Sequence, residues 1–542
     1  MDIFVELSKR IKKGDDLEIL SPSDASLQYG KTTYSTPIEL DSAIIVKHQS
    51  SIAKVLTLAN ELKFNIYPIS TNKNWGYGSF NPKSGRPNVV IDLGRLCTIT
   101  PTSKELGLIT IEPGVTQQQL YEYLLQHDWP YMVPVTGAGP TCSLVSNAIE
   151  RGYGITPHND HFYACTALKG YIPHPELCNE RFESAISALD KSGHDFIDKT
   201  YKWGLGPYLE GLFTQSNLGI VSEMTLRLAP KPQYFCAFYI QIFNEQHFEE
   251  AVLLVQDMLK NYAGIVGSIN LMDLRRLISI TAENPNGYNS SIVMSSAQVN
   301  TIRKNQNLPQ WMVVGSIYGS RNIVKAAKKY IKQKAHQLGK IYFSDSLTIK
   351  TATAASRYGL LNFAIFDKIK RQLDSLQEGI DIMLGIPNQV ALPLPYWRNT
   401  KVRPNKASTM SPSQDECGLL WYAPLLKMNP DSLQAFISFV RETTLKYNIE
   451  PFITFTNLKH DCVDSTVPLV FNLKDEAEVE NAHDCLNELI NEGAKLGFVP
   501  YRLDTKQQMK LDANHIFWKT TDKIKQALDP NKILAPDRYN PS

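Results

Sequence analysis

Long hydrophobic runs are missing from this 542-residue sequence: no stretch approaches 18 apolar residues, so no membrane span is expected. A charge excess is missing too. Lys+Arg 56 against Asp+Glu 54 leaves a net charge of +2, an even balance that argues against a dedicated nucleic-acid binder. None of the eight cysteines stands in a C-x-x-C pair, which removes the usual zinc and thioredoxin-like spacings, and scattered thiols suit a reducing compartment. There is no G-x-G-x-x-G, no Walker A loop, no internal repeat and no low-complexity segment. Residues 1–16 are charged throughout and hold no apolar h-region, so the expected location is the cytoplasm.

What is present is an ordinary globular composition, 43% hydrophobic and 20% charged. At roughly 150 residues per domain the length predicts two to four domains. The first hundred residues read as a β-α-β unit: a strand at Ala43–Val46, a helix with Ile52, Val55, Leu56 and Ala59 on one face, and a strand at Asn65–Ser70. Strands at Asn88–Leu93 and Leu108–Glu112 and a helix capped by Thr116 follow. Pro230 and Pro232 mark a boundary between 1–232 and a stretch of changed pattern, 233–499. In the middle unit, strands (Tyr234–Phe243, Met312–Tyr318, Gly418–Leu426, Phe452–Thr456, Pro468–Leu473) alternate with helices near 249–262, 321–338, 431–448 and 476–495. The fold class is therefore α+β, with a mainly antiparallel sheet covered by helices in the middle unit. The basic run Lys325–Lys334 lies on an amphipathic helix and reads as a solvated face.

Four places carry polar residues suited to chemistry. The strand ending at Ser70 runs into Thr71-Asn72-Lys73-Asn74-Trp75-Gly76-Tyr77-Gly78, a loop whose backbone N–H groups can cradle phosphate. An ordinary glycine turn is the alternative. Residues 137–161 form an irregular stretch with Ser143, Asn147, Glu150-Arg151-Gly152 and Thr156-Pro157-His158-Asn159-Asp160-His161, and irregular stretches of that length are usually functional. His158, Asp160 and His161 are too loosely spaced, with no third imidazole, for a metal site to be expected. Gln215-Ser216-Asn217 lead into Gly219-Ile220-Val221. Tyr501-Arg502 sets a phenol beside a permanent cation.

Taken in order, five segments resemble the vanillyl-alcohol oxidase / p-cresol methylhydroxylase family of FAD-dependent enzymes. They are Pro68 to Gly78, Glu112 to Thr116, Asn147 to His161, Gly206 to Val221 and Ala527 to Pro536, spread from about residue 40 to the C-terminus. The resemblance sets 500–542 apart as a third segment and implies a PCMH-type FAD-binding domain of two subdomains, built from the first unit and this C-terminal segment, under a cap formed by the middle one. It implies FAD contacts at Ser70, Thr71, Asn72, Lys73, Asn74, Gly76, Pro113, Gly114, Ser143, Asn147, Gly152, Thr156, Gly219, Ile220 and Val221. It also implies that Tyr77, Tyr501 and Arg502 bind a phenolic oxygen while a hydride leaves the para carbon for the flavin, through a phenolate and a quinone methide. The partners expected are an aromatic small molecule and an electron acceptor, whether oxygen, a cytochrome or a quinone. Family members often form dimers or larger assemblies, so a homodimer is among the states expected.

Three departures stand out. The family's acidic residue near the flavin falls at Ala138, with no carboxylate between Tyr131 and Ile149. A tyrosine expected at 155 is Ile155, and the position of the covalent flavin link is Leu419, so non-covalent FAD is expected. Cys417 and Tyr422 lie near that position without occupying it. His158 stands as a candidate replacement base, since an unperturbed imidazole titrates near ~6.5. The departures keep two other readings open: oxidation of a non-phenolic alcohol, hydroxy acid or specialised-metabolite intermediate, and a flavin-binding protein without turnover.

Overall fold

The computed structural model describes residues 2–192, 196–345, 374, 376–405, 408–536 and 538–541. β1 (Leu17–Leu20), β2 (Ser42–Val46), β3 (Asn65–Ile69) and β4 (Asn88–Asp92) form a sheet in the order β1-β2-β4-β3. β2, β4 and β3 run parallel, and β1 closes the edge antiparallel. The helix Ser51–Leu62 crosses from β2 to β3 and buries Ile52, Val55, Leu56 and Ala59, the stripe that its sequence spacing predicts. Parallel strands covered on both faces are continuously apolar, and β2 is buried at all five positions.

β5 (Ile99–Ser103), β6 (Leu108–Ile111), β8 (Cys165–Tyr171) and β9 (Ile220–Arg227) form a second, antiparallel sheet in the order β5-β6-β9-β8. β7 (Tyr131–Met132) and β10 (Ala229–Pro230) make a separate pair. β8 escaped the sequence reading because all seven of its residues are buried, which leaves no alternation to detect. The chain end returns to the first sheet: Ile66 N–H donates to Ile533 O and Ala535 N–H to Ile66 O, both at 2.8 Å. The helix Ile516–Leu528 stops before Asp529-Pro530, as proline disfavours helical geometry at the residue before it. Asp529 then accepts the amides of Ile533 and Leu534 and pairs with buried Lys525 at 2.6 Å. Lys525 Nζ also donates to Asn217 O at 2.6 Å, which fastens the loop 215–217 to the chain end.

The middle of the chain builds one antiparallel sheet. β11 (Tyr234–Ile242), β12 (Ile269–Asp273), β13 (Trp311–Gly319), β14 (Lys340–Ser344), β16 (Pro424–Lys427), β17 (Thr454–Asn457), β18 (Cys462–Asn472) and β19 (Val499–Pro500) run in the order β14-β11-β13-β12-β17-β18-β16-β19. β15 (Cys417–Tyr422) pairs with the second half of β18. The helices Phe248–Asn261, Arg321–Ala335, Pro430–Lys446 and Glu476–Lys495 bury their apolar stripes in one core with the sheet. Two expectations need adjustment. The strand read as Gly418–Leu426 breaks at Ala423 into β15 and β16, and Pro468–Leu473 is the end of a longer β18. The basic helix Arg321–Ala335 buries Val324, Ala327, Ile331 and Ala335 and leaves Lys325, Lys329, Lys332 and Lys334 exposed, a solvated face. Among the described residues no helix is long and apolar enough to cross a membrane.

Candidate active site

A cavity of about 380 Å³ opens between the first two sheets and the large antiparallel one. Residues from 68–79, 136–153, 213–221, 391–395, 419–421, 501–502 and 534–538 contribute to its wall. Of the expected cofactor contacts, Ser70, Thr71, Asn72, Lys73, Asn74, Pro113, Ser143, Asn147, Gly152, Gly219, Ile220 and Val221 line it. Gly76, Gly114 and Thr156 do not. A Cβ at Gly76 would meet the Trp421 indole at 2.3 Å, and one at Gly114 would meet Gly94 O at 2.5 Å. Those two glycines therefore let chain segments approach one another instead of facing the cavity. Thr156 is buried away from the wall, its Oγ1 without a partner.

The loop after β3 makes a cradle. Asn72 adopts φ 53°, Gly76 φ 79° and Gly78 φ 77°, so the chain curls around the strand end. Among the described residues, the amides of Thr71, Asn72, Lys73 and Asn74 find no acceptor in the chain. Four consecutive free donors on a cavity wall are what a diphosphate needs, and nests of this kind bind anions without side-chain charge. The loop is braced from below: Thr71 Oγ1 accepts the Ser143 amide at 3.1 Å, and the Ser70 and Ser146 hydroxyls bond to each other. These residues fit the diphosphate of FAD.

Tyr77, Tyr501 and Arg502 all line the same cavity. The Arg502 guanidinium lies over the Tyr77 ring, 4.2 Å from its centroid. Burial raises the Tyr77 phenol well above its ordinary range, only partly offset by Arg502. Tyr501 is raised too, by burial and then by Asp464 and Tyr77. Both phenols therefore stay protonated and can donate hydrogen bonds. Arg502 Nη2 donates to Asn74 Oδ1 and faces Glu150 at 3.5 Å, while its Nε is buried without an acceptor. Burial opposes the Arg502 charge, but Glu150 and the surrounding phenols hold its pKa above normal. Burial alone would raise Glu150, yet Arg538 and Arg502 pull it below the usual carboxylate range. Two guanidiniums around one carboxylate leave the cluster a net positive charge.

The loop 150–161 differs most from expectation. Ile155 is not on the cavity wall; it packs beside Tyr318 and Met132 in an apolar cluster. Tyr153 lines the cavity instead, its ring 6.0 Å from that of Tyr501, so the same loop supplies a phenol two residues earlier. His158, the candidate base, does not reach the cavity. Its Nδ1 bonds to Arg227 O at 2.9 Å, at the end of β9. His161 bonds to Asn147 Nδ2 through Nδ1 at 2.6 Å, and burial pushes its pKa down to about 3. The two imidazoles thus serve the backbone and a loop amide separately, an arrangement that gathers no reacting pair.

The alternation of β15 sets which side chains near the expected covalent-link position face the cavity. Leu419 and Trp421 face the cavity, whereas Leu420 and Tyr422 point into the opposite core, where Tyr422 stacks on Phe436 at 6.0 Å. Tyr422 is thereby on the wrong face to reach a cofactor. Cys417 is buried, off the wall, with its thiol pushed up to about 12. Cys142 is a cysteine of the described wall, and burial raises its thiol too.

Sequence reading passed over two groups that the tertiary fold brings here. Asp464 of β18 is buried beside the tyrosines, and neither carboxyl oxygen has a hydrogen-bond partner. Burial raises it well above the ordinary carboxylate range; the neighbouring Tyr153 phenol offsets this in part without meeting hydrogen-bond geometry. Arg276, from the helix Leu274–Thr281, lines the cavity from the other side of the sequence. No local motif marks either.

The chain matches a model described as an FAD binding domain over residues 41–168. It is 29% identical over 514 residues, 94% of this chain and 92% of the relative, to 1'-carboxy-chondrochloren decarboxylase of Chondromyces crocatus. It is 25% identical, over 98% of this chain and 95% of the relative, to the flavoprotein subunit of 4-cresol dehydrogenase [hydroxylating] of Pseudomonas putida. Among solved structures, substrate-bound p-cresol methylhydroxylase superposes with a TM-score of 0.81 at 23% identity, covering 96% of this chain and 93% of that one. The isoeugenol complex of 4-ethylphenol oxidase from Gulosibacter chungangensis gives a TM-score of 0.84 at 20% identity, covering 99% and 96%.

Proposed function

We propose that this chain, an FAD-dependent oxidoreductase similar to the vanillyl-alcohol oxidase / p-cresol methylhydroxylase family, removes a hydride from the benzylic carbon of a para-substituted phenol. The observation that supports this reading is the grouping of Tyr77, Tyr501 and Arg502 on one cavity wall, with a buried Arg502 Nε that has no acceptor among the described residues. Two phenols held protonated and a fixed cation stabilise a substrate phenolate without being deprotonated by it. Phenolate electron density then drives hydride loss from the para side chain and leaves a quinone methide. The loop 70–74 would hold FAD without a covalent bond, and the bound flavin would supply the hydride acceptor, with oxygen, a cytochrome or a quinone as the onward electron acceptor.

A second reading concerns the fate of the quinone methide. Glu150 is the carboxylate among the described residues of the wall, and Arg502 and Arg538 already hold it. With Ala138 where the family has an acid, no side-chain acid is free there to activate water. A quinone methide bearing a carboxylate on the adjacent carbon needs none. The C–C bond to the carboxylate breaks, CO2 leaves, and the electron pair forms the alkene and restores the ring phenolate. The likeness to a decarboxylase supports this route.

The test is anaerobic titration of the flavin-loaded protein with para-alkylphenols and 4-hydroxybenzyl alcohols. Bleaching of the visible flavin band by phenols but not by their O-methyl ethers is expected. A yellow protein that no phenol bleaches sinks the phenol reading. Release of CO2 on turnover of 3-(4-hydroxyphenyl)propanoate separates the second reading from water addition.

A further inference from the structure

The helix Leu274–Thr281 begins at the end of β12, capped by Asp273, whose Oδ1 accepts the Arg276 amide at 2.9 Å. Leu274, Leu277 and Ile278 form its buried stripe. That stripe fixes the rotation of the helix and turns Arg276 to the cavity wall. Among the described residues its guanidinium makes one hydrogen bond, Nη1 to Ser279 Oγ at 2.8 Å.

What Arg276 lacks is a counter-charge. Arg275 pairs with Glu450 at 2.6 Å, Arg398 with Glu478 at 2.9 Å, and Arg502 and Arg538 share Glu150. Among the described residues no carboxylate lies within ion-pair distance of Arg276. Asp273, three residues earlier, takes two amides on Oδ1, and its Oδ2, which has no hydrogen-bond partner among the described residues, lies 3.7 Å from Arg441 and outside ion-pair distance of Arg276. Burial pulls the Arg276 pKa down to about 10, with Asp273 offsetting only part. An arginine still holds its proton there at neutral pH, so a full positive charge without a paired carboxylate faces the cavity.

We propose that Arg276 recognises an anionic group on the substrate, and that the preferred substrate is a phenol whose para side chain ends in a carboxylate. One guanidinium matches one planar monoanion, fork to fork, which favours a carboxylate over a phosphate dianion. The phenol half of this statement rests on the function proposed above; the carboxylate half rests on Arg276 alone. An ion pair holds a carboxylate before and after hydride transfer and does nothing to expel it. Arg276 is therefore a binding residue, and its loss raises KM more than it lowers kcat.

The test uses flavin-loaded protein and two ligands without a phenol, 3-phenylpropanoate and 3-phenylpropan-1-ol, titrated by calorimetry. The wild type is expected to prefer the carboxylate by roughly ten- to a hundredfold, the size of a charge-assisted hydrogen bond. Arg276→Gln brings that ratio close to one, and Arg276→Lys keeps part of it. A wild-type ratio near one overturns the proposal, and so does a ratio that Arg276→Gln leaves intact. A changed flavin reduction potential in Arg276→Gln with an unchanged ratio also overturns it, since the arginine then serves the cofactor. Should Arg276→Gln not fold, the Lys variant and the salt dependence of the wild-type ratio decide. Failure of the phenol reading looks different: neither 3-(4-hydroxyphenyl)propanoate nor 4-propylphenol bleaches the flavin, while the carboxylate ratio persists.

Discussion

The guanidinium of Arg502 lies 4.2 Å from the centre of the Tyr77 ring, two residues 425 positions apart in sequence that share one cavity. The stacking spends the arginine's face on the tyrosine and leaves its edge for Asn74, Glu150 and a ligand. Replacing Arg502 by Ala removes a charge that matters most when the phenolate forms. Flavin reduction by phenols should fall about 10²–10³-fold, with a smaller loss in binding, as read by anaerobic stopped flow. Equal losses in rate for phenols and for non-phenolic alcohols would show that no phenolate is involved.

Tyr153 and His158 belong to one loop but face different ways, so their variants should behave differently. Tyr153→Phe removes a donor beside Tyr501 and should slow flavin reduction about fivefold, one net hydrogen bond. His158→Ala, which loses the hydrogen bond to Arg227 O outside the cavity, should leave the rate near wild type. The reverse pattern would return the histidine to the reaction.

Asp464 gives a pH signature. Its folded pKa is raised from 3.8 by burial, so the folded state holds a proton that the unfolded chain has lost. Its contribution to stability is full below 3.8 and disappears as pH rises through the folded value. Asp464→Asn removes this dependence. The variant should match wild type in acid and gain about 1–3 kcal/mol at pH 8, by thermal unfolding at the two pH values. A variant destabilised at pH 8 would mean that the carboxylate is ionised and paired.

The flavin should come free. Leu419 cannot form a covalent bond, and Tyr422 and Cys417 do not reach the cavity. Acid precipitation should leave the yellow chromophore in the supernatant. Retention in the pellet would point to Cys142 or a wall tyrosine as the attachment.

Lys525 and Asp529 form a fully buried pair that ties the chain end to the loop 215–217. Lys525→Ala strands the carboxylate and should cost about 3–5 kcal/mol in chemical unfolding. A loss below about 1 kcal/mol would mean that water reaches Asp529.

Much of this protein is local and can be read in the sequence. The helix Ser51–Leu62, β2 and β3 follow from apolar spacing, and the turn at Asp529-Pro530 from proline chemistry. The loop after β3 and the pair Tyr501-Arg502 stood out by their composition, whereas the grouping of Tyr77 with that pair came from the family resemblance. Other features depended on contacts between distant segments. The one-residue alternation of β15 decides that Leu419 faces the cavity while Tyr422 does not, and the strand's pairing with β18 sets that alternation. Backbone curvature in the loop 150–161 turns Tyr153 inward and His158 toward β9. The charges of Asp464 and Arg276 acquire meaning only when packing removes water and withholds a partner. Sequence by itself determined which residues were available for chemistry. The tertiary structure decided which of them meet, because burial and counter-charge are properties of neighbours brought together by the fold.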